Sequence, residues 1–144
     1  MQVDPRGQRF GAAITTVVLA LVLLISGYRP LVAGVLLAAQ ALVFATGAFA
    51  GLRNAPYGLL YGWLVRPRLG PPKEMEPEAP PRFAQGVGLV FALVGVVGYA
   101  AGLFWLGVGA TAAALVAAFL NAAFGFCLGC EMYLLIRRFA VSLR

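Results

Sequence analysis

The sequence predicts an all-α protein: a bundle of four transmembrane helices built from two helical hairpins. Of its 144 residues, 62% are hydrophobic and only 11% are charged, and the mean hydropathy is +0.90. A water-soluble domain of this length needs far more polar surface. The apolar residues also form four stretches of about 20 residues, the length that crosses a bilayer. Lipid is therefore the expected solvent.

The four predicted spans are residues 10–27, 31–50, 83–106 and 110–131 of a single membrane domain, 1–144. The first span follows a charged segment, as a signal peptide would. It is longer than the usual apolar region of a signal peptide, and no small-residue cleavage site follows it, so we expect a retained helix. The connections within each pair of spans are short, which makes the paired helices antiparallel neighbours.

A polar segment, residues 51–82, separates the two predicted hairpins. Its first part, 55–65, is apolar and aromatic but too short to span, and we expect it to lie along the membrane interface. Its second part, 66–81, holds six of the nine prolines and three glutamates. That composition predicts an extended or mobile loop.

The basic residues predict the orientation in the membrane. Of the 11 Lys and Arg residues, only Arg29 falls in a connection within a hairpin. By the positive-inside rule, we expect both termini and the central segment to be cytoplasmic. The net charge of +6 does not indicate nucleic-acid binding, because the basic residues lie scattered at the ends of apolar runs. The remaining ten basic residues share the predicted cytoplasmic side: Arg6, Arg9, Arg53, Arg66, Arg68, Lys73, Arg82, Arg137, Arg138 and Arg144.

The two halves of the chain resemble each other. At nearly constant spacing, one set of residues recurs in the second half in the same order. Two hairpins that enter the membrane from the same side would form a parallel repeat, with its axis along the membrane normal. Chance resemblance between two apolar hairpins with basic starts is the alternative. The matching pairs are Arg9-Phe10 with Arg82-Phe83, Phe44 with Phe119, Ala48-Phe49 with Ala123-Phe124, Tyr61 with Tyr133, and Arg66 with Arg138.

The two cysteines, Cys127 and Cys130, form the main candidate site. On a continuous helix they share a face but lie toward its C-terminal end, where the helix dipole opposes a thiolate. If the helix instead breaks at the nearby glycines and restarts at Cys127, the dipole favours a thiolate. Four interpretations stay open: buried packing residues, a thiol redox or sulfur-relay pair, a metal site, and a permanent disulfide.

Three polar residues accompany the cysteines in or near the spans. Glu131 is a candidate modulator of the pair, or it pairs simply with Arg137 or Arg53. Gln40 and Asn121 are expected to form hydrogen bonds between helices. The chain contains no His, no phosphate-binding loop and no Ser/His/Asp arrangement, and nothing in it indicates a cofactor.

Three phrases of the sequence resemble a bacterial membrane-protein family catalogued as domain of unknown function 4395. They are residues 3–10, residues 80–85 and the stretch from Asn121 to Glu131, of which the last is the most specific. The resemblance implies a small four-helix integral membrane protein without an established activity. It also implies association with thioredoxin-like and sulfurtransferase-like proteins, which favours redox or sulfur chemistry at the cysteines. The alternatives are a scaffold or accessory subunit of a larger membrane complex, and a small transporter or metal-handling protein.

Overall fold

The computed structural model describes residues 2–143 and confirms the predicted all-α fold class. Seven α-helices, one 3-10 turn and one π-helical turn form nearly all of the described chain, and the only strands within it are a single two-residue pair. The elements are β1 (Gln2–Val3), α1 (Pro5–Ser26), α2 (Pro30–Phe49), a 3-10 turn (Leu52–Asn54), α3 (Pro56–Leu60), a π-helical turn (Tyr61–Val65), α4 (Arg66–Leu69), β2 (Glu76–Pro77), α5 (Ala79–Ala100), α6 (Phe104–Phe124) and α7 (Leu128–Ser142).

The four long helices form a closed ring. α1 packs against α2, α2 against α5, α5 against α6, and α6 returns to α1. Large side chains such as Leu19, Leu37 and Phe44 fill the centre together with many alanines. Small residues let helix backbones approach each other closely where lipid provides no hydrophobic drive for association. The short α7 packs mainly against α5.

The outer surface of the ring is apolar. α1, α2, α5 and α6 have 22, 20, 22 and 21 residues, and each is long and apolar enough to cross a membrane. Exposed side chains along their outward faces include Val17, Leu24, Val35, Leu42, Val90, Val97 and Val116. Apolar side chains on the outside of a helical ring suit contact with lipid, so the chain is built as a multi-pass membrane protein.

The helices begin and end at different residues from those expected. α1 and α5 start at Pro5 and Ala79 instead of residues 10 and 83, because prolines are tolerated in a first helical turn. The turn between α5 and α6 lies at 101–103, where Gly102 adopts a φ of 78°, and not at 107–109. Hydropathy locates the apolar part of a helix but neither its polar first turn nor its capping residue.

The expected single helix over residues 110–131 is wrong. α6 ends at Phe124, three residues without helical structure follow, and α7 begins at Leu128. Gly125 ends α6 with a φ of 69°, a left-handed conformation that favours glycine at this position. The cysteine pair therefore lies at the start of a helix, as the alternative of a break at the glycines had anticipated.

The structure supports the internal repeat. In each half, two long helices are followed by a glycine of positive φ, Gly51 or Gly125, and then by a short helical segment. In the first half this segment, which α3 begins, packs against α1, and in the second half α7 packs against α5. The matched side chains also make matched contacts, since the ring centroids of Phe10 and Tyr61 are 5.8 Å apart and those of Phe83 and Tyr133 are 5.7 Å apart.

Two arginines join the halves in a reciprocal way. Arg82 of the second half donates hydrogen bonds of 2.9 to 3.1 Å to the carbonyls of Ala48 and Phe49 at the end of α2. Arg9 of the first half reaches the last-turn carbonyls of α6, those of Ala122 and Ala123, at 3.2 and 3.3 Å. A cation at a helix C-terminus satisfies free carbonyls and complements the helix dipole.

We expect Arg82→Ala to lower the free energy of unfolding by about 1.5–3 kcal/mol, because it removes hydrogen bonds from a charged group to otherwise free carbonyls. Arg9→Ala should cost less, because its two hydrogen bonds are longer and exposed. Thermal unfolding in one detergent measures both. Arg68→Ala, which removes an exposed arginine of the central segment, is the control. Equal midpoints for Arg82→Ala and Arg68→Ala would contradict the capping role.

The central segment is held to the same end of the bundle as Arg9 and Arg82. β1 and β2 pair antiparallel, with Val3 opposite Glu76. The buried carboxylate of Glu78 accepts a hydrogen bond from the backbone N–H of Leu52, at 3.2 Å. Arg6 donates to the carbonyl of Gly70, at 2.9 Å. These contacts tie a proline-rich loop, which the sequence predicts to be extended or mobile, to the starts of α1 and α5.

Candidate functional site

Cys127 and Cys130 form a disulfide at the start of α7. Cys127 is the N-cap residue, with extended backbone, and Cys130 lies in the first helical turn. The backbone N–H of Cys130 donates a hydrogen bond to Sγ of Cys127, at 3.1 Å. Both cysteines are half-buried. Among the four interpretations of the pair, the structure shows the disulfide and excludes two free packing residues in this state.

The position of Cys127 reverses the electrostatic expectation for a continuous helix. At the N-terminus of α7 the helix dipole and a backbone N–H both point at Sγ of Cys127, and such a site favours a thiolate when the bridge is reduced. Glu131 lies exposed in the first turn of α7 and adds a negative charge there. Within residues 2–143 Glu131 forms no ion pair with Arg137 or Arg53; the ion pair found joins Asp4 to Arg6. A modulating role for Glu131 stays a prediction.

Close packing of α7 on α5 holds the disulfide in place. A Cβ atom added at Gly129 would lie 2.5 Å from Cβ of Ala84 and 2.6 Å from its Cα. Only glycine permits this approach of the two helices. One turn further along α7, the rings of Tyr133 and Phe83 are in contact. The sequence between the cysteines, Leu128-Gly129, thus sets the distance between α7 and the bundle.

A cavity of about 510 Å³ lies beside the disulfide, at the end of the bundle where Arg9 and Arg82 are located. Cys127 lines it, and so do side chains from both halves of the repeat. Its lining includes Asn121, which was expected to join helices, and eight further polar residues that were not predicted as site residues. They are Asp4, Gln8, Thr15, Arg53, Tyr57, Tyr61, Arg66 and Gln85. The residues come from distant positions in the chain, so the sequence did not signal that they would line one cavity.

The two amides expected to join helices behave differently. Gln40 is buried, accepts a hydrogen bond of 2.6 Å from the hydroxyl of Tyr57, and donates a longer one of 3.5 Å to Thr15. It links α2 to α3 and α1, which confirms its predicted role. Asn121 lines the cavity wall instead, and no bridge from its side chain to another helix is found in residues 2–143.

Asp4 organises the cavity entrance. Its carboxylate is the N-cap of α1, accepts hydrogen bonds from the backbone N–H and guanidinium of Arg6, and accepts one of 2.8 Å from the Tyr61 hydroxyl. Burial by itself raises the pKa of Asp4, but these hydrogen bonds and the charge of Arg6 outweigh it, so the pKa lies below its ordinary value. Burial, together with the Asp4 hydrogen bond, raises the pKa of Tyr61, and burial alone raises that of Tyr57.

The lowered pKa of Asp4 predicts how stability depends on pH. Its contribution is fully present above the ordinary carboxyl pKa and is lost as the pH falls through the lower pKa of the folded state. We expect Asp4→Asn to be less stable than wild type at pH 7 and to lose less stability on acidification. Thermal midpoints between pH 7 and pH 3 measure this. Glu74→Gln, on the exposed loop, is the control, and a wild-type-like profile for Asp4→Asn would contradict the assignment.

Side chains that could bind a metal ion are not clustered in residues 2–143. Within residues 2–143, no cluster of three or more His, Cys, Asp or Glu side chains could hold a metal ion. The disulfide also occupies both thiol sulfurs. The site therefore consists of a disulfide, a helix N-terminus and an adjacent cavity with several polar groups in its wall.

Comparison with known proteins gives one match. No curated protein and no solved structure matches the chain. A family model described as domain of unknown function (DUF4395) matches residues 3–138, and with them all the membrane helices, the cavity and the cysteine pair. The chain therefore belongs to the DUF4395 family.

Proposed function

We propose that the chain is a membrane-embedded thiol–disulfide exchange protein whose reactive centre is Cys127–Cys130. One observation carries the proposal: in a disulfide at a helix N-terminus, Sγ of Cys127 accepts a hydrogen bond from a backbone N–H, and Cys127 lines a cavity with several polar groups in its wall. A sulfur in this position is a good leaving group and, after reduction, a good nucleophile. A soluble protein dithiol of the thioredoxin-like class is the proposed partner.

The repeat argues against a merely structural bridge. With Tyr61 matched to Tyr133, Ala55 takes the place of Cys127 and Gly58 that of Cys130. Ala55 is likewise an N-cap residue with extended backbone, at the start of α3. The first half thus makes the same break and restart of the helix without a disulfide. Because the fold forms the first of these two equivalent positions without a bridge, the bridge at the second position favours a chemical role.

The exchange balances as a two-electron transfer. A thiolate of the partner attacks Sγ of Cys127; the bond to Cys130 breaks, and Cys130 leaves as a thiolate and takes up a proton. The partner's second thiolate then attacks the partner sulfur that is bonded to Cys127 in the mixed disulfide. This step forms the partner's disulfide and releases Cys127 as a thiolate. The partner dithiol is oxidised to a disulfide, and Cys127–Cys130 is reduced to a dithiol. The reverse sequence reoxidises the pair.

The side of the membrane follows from the charge distribution. Arg9, Arg82, the central segment and the disulfide lie at one end of the bundle, and the connections at 27–29 and 101–103 lie at the other. Basic loops stay in the cytoplasm, so we place both termini and the cysteine pair there, at the bacterial cytoplasmic membrane. A membrane-impermeant maleimide should label Leu143→Cys, in a background with Ser at 127 and 130, in inverted vesicles and not in intact cells.

Reduction and reoxidation of the purified protein test the function. In nanodiscs, a reduced thioredoxin should convert the bridge to two alkylatable thiols, with one thioredoxin disulfide formed per bridge. The variant Cys127→Ser/Cys130→Ser, folded to the same thermal midpoint, should form none. Sulfur transfer is the related chemistry, and mass spectrometry would reveal it as one added sulfur on Cys127.

The competing interpretation is a scaffold or accessory subunit without chemistry. Two results would support it. A protein dithiol would leave the bridge intact, and Cys127→Ser/Cys130→Ser would change neither partner co-purification nor growth of the cells. A bridge that stays intact in a folded protein, in the presence of a reduced protein dithiol, would overturn the exchange proposal. Nothing in residues 2–143 favours metal handling.

A further inference from the structure

The cavity beside the disulfide has a second chamber. The first chamber has a volume of about 510 Å³, and a second one of about 300 Å³ adjoins it deeper in the bundle. The same six residues line both: Ala12, Thr15, Ala84, Gln85, Asn121 and Cys127. Cys127 therefore lies where the two chambers meet.

The two chambers differ in chemistry. Apolar side chains such as Val43, Leu52 and Leu59 form much of the first chamber, but only the first has carboxylate, guanidinium and phenol groups in its wall, at the charged end of the bundle. The second is lined mostly by apolar side chains, among them Phe44, Val87, Phe91, Leu128 and Met132. From Gln8 to Thr15 along α1, the lining extends about 10 Å into the bundle at a rise of about 1.5 Å per residue. The cavity thus suits a molecule with a polar head and an apolar body.

One hydrogen-bond donor in the wall is unused. Nε2 of Gln8 is buried and has no partner among residues 2–143. A buried unpaired donor is costly, and rotation of the Gln8 amide toward the cavity would let a ligand carbonyl satisfy it. The amides of Gln85 and Asn121 line the shared wall beside Cys127. The lining offers hydrogen-bond donors to a ring carbonyl and an apolar chamber to a hydrocarbon chain.

We propose that the two chambers bind the head and first isoprenoid unit of a membrane quinone, and that this quinone is the electron acceptor of the cysteine pair. The proposal rests on the exchange function and names the oxidant that returns the pair to the disulfide. Both chamber volumes lie in the range of ligand sites or at its edge. A quinone dissolves in the bilayer and arrives from the phase that surrounds the helices.

The reaction balances without a further co-reactant. The Cys127–Cys130 dithiol loses two electrons and two protons as the sulfur–sulfur bond forms. The quinone gains both and becomes a quinol with two hydroxyl groups. Coupled to the exchange with a soluble dithiol, the net result is oxidation of a protein dithiol and reduction of one quinone. Each turnover therefore produces one quinol for each disulfide formed on the partner.

Binding can be measured without any redox step. Trp63 lines the first chamber, whereas Trp105 lies at the other end of the bundle, so Trp105→Phe leaves one reporter. In nanodiscs, with Ser at 127 and 130, a benzoquinone bearing one isoprenoid unit should quench Trp63 fluorescence saturably. Ala117→Phe, which fills the second chamber, should leave only weak quenching that rises linearly with quinone. Ala39→Phe, on an exposed face of α2, is the matched control.

Gln8→Leu gives a second, milder variant, in case Ala117→Phe fails to fold. It removes the unpaired donor and should weaken binding about fivefold to tenfold, as loss of one hydrogen bond does. With intact cysteines, the reduced protein should form one quinol per bridge, and Ala117→Phe should slow this at least tenfold. If the bridge exchanges with thioredoxin but quinone neither binds saturably nor oxidises the dithiol, this proposal is wrong and the exchange function stands. Saturable binding without oxidation would overturn the acceptor role.

Discussion

Gly129→Ala should push α7 away from α5 and disable the cysteine centre. The added methyl group would lie within 2.6 Å of both Cα and Cβ of Ala84, and a backbone atom on a packed helix cannot move aside as a flexible side chain can. Overpacking of this kind costs about 1–3 kcal/mol. Because Cys127 and Cys130 flank Gly129, we also expect the rate of exchange with thioredoxin to fall by tenfold or more. Thermal unfolding and alkylation kinetics measure the two effects.

The chain offers a matched control for this change. Gly86 lies on α5 two residues beyond Ala84, and a Cβ added there meets no atom within 4 Å. Gly86→Ala adds the same methyl group to a helix and should be neutral or stabilising by up to about 1 kcal/mol. Ala84→Gly should partly rescue Gly129→Ala, since it removes one of the two close atoms. Equal stability of Gly129→Ala and Gly86→Ala would show that the helices do not approach as closely as described.

The sequence predicted the helices well where hydropathy decides and poorly where tertiary contacts decide. Four spans and their pairing follow from apolar length alone, and the starts with Arg9 and Arg82 signalled the repeat. The break after Phe124 does not follow, because the apolar pattern continues through Cys127 to Ile136. Gly125 ends α6 in a left-handed conformation, and Arg9, which is more than 100 residues distant in the chain, adds hydrogen bonds to the carbonyls freed at the end of α6.

The candidate site was also predicted in part. Spacing singled out Cys127 and Cys130, whereas Asn121, which lines the cavity, was expected only to join helices. The electrostatic environment of the cysteines depended on the break, so the expectation for a continuous helix had the wrong sign. The cavity could not be predicted, because Gln8 and Gln85 carry no signal in isolation and line the same cavity only after the four long helices have packed into a ring.

The two cysteines of the reduced protein should differ in reactivity by about tenfold. In Cys130→Ser, Sγ of Cys127 keeps the N-cap position and still accepts the hydrogen bond from the backbone N–H of residue 130. In Cys127→Ser, the new hydroxyl accepts that hydrogen bond, and the remaining thiol, Sγ of Cys130, does not. Stabilisation of a charge at a helix N-terminus reaches up to about 2 kcal/mol, and about 1.4 kcal/mol of it is enough for a factor of about 10. Rates of reaction with an aromatic disulfide at pH 7 provide the measurement, and Cys127 should be the faster.

The pH dependence of these rates separates a thiolate effect from simple access. If α7 favours the Cys127 thiolate, its rate should level off at a lower pH than that of Cys130, whereas better access alone would raise the rate equally at every pH. Glu131→Gln removes a negative charge from the first turn of α7 and should raise the rate of Cys127 about twofold at low ionic strength, with the gain reduced in high salt. Arg138→Gln, on the exposed last part of α7, changes charge at a distance and should leave the rate unchanged. If Cys130 reacts faster, or if the two cysteines have identical pH profiles, Cys127 is not the preferred nucleophile and the N-terminus of α7 does not activate it.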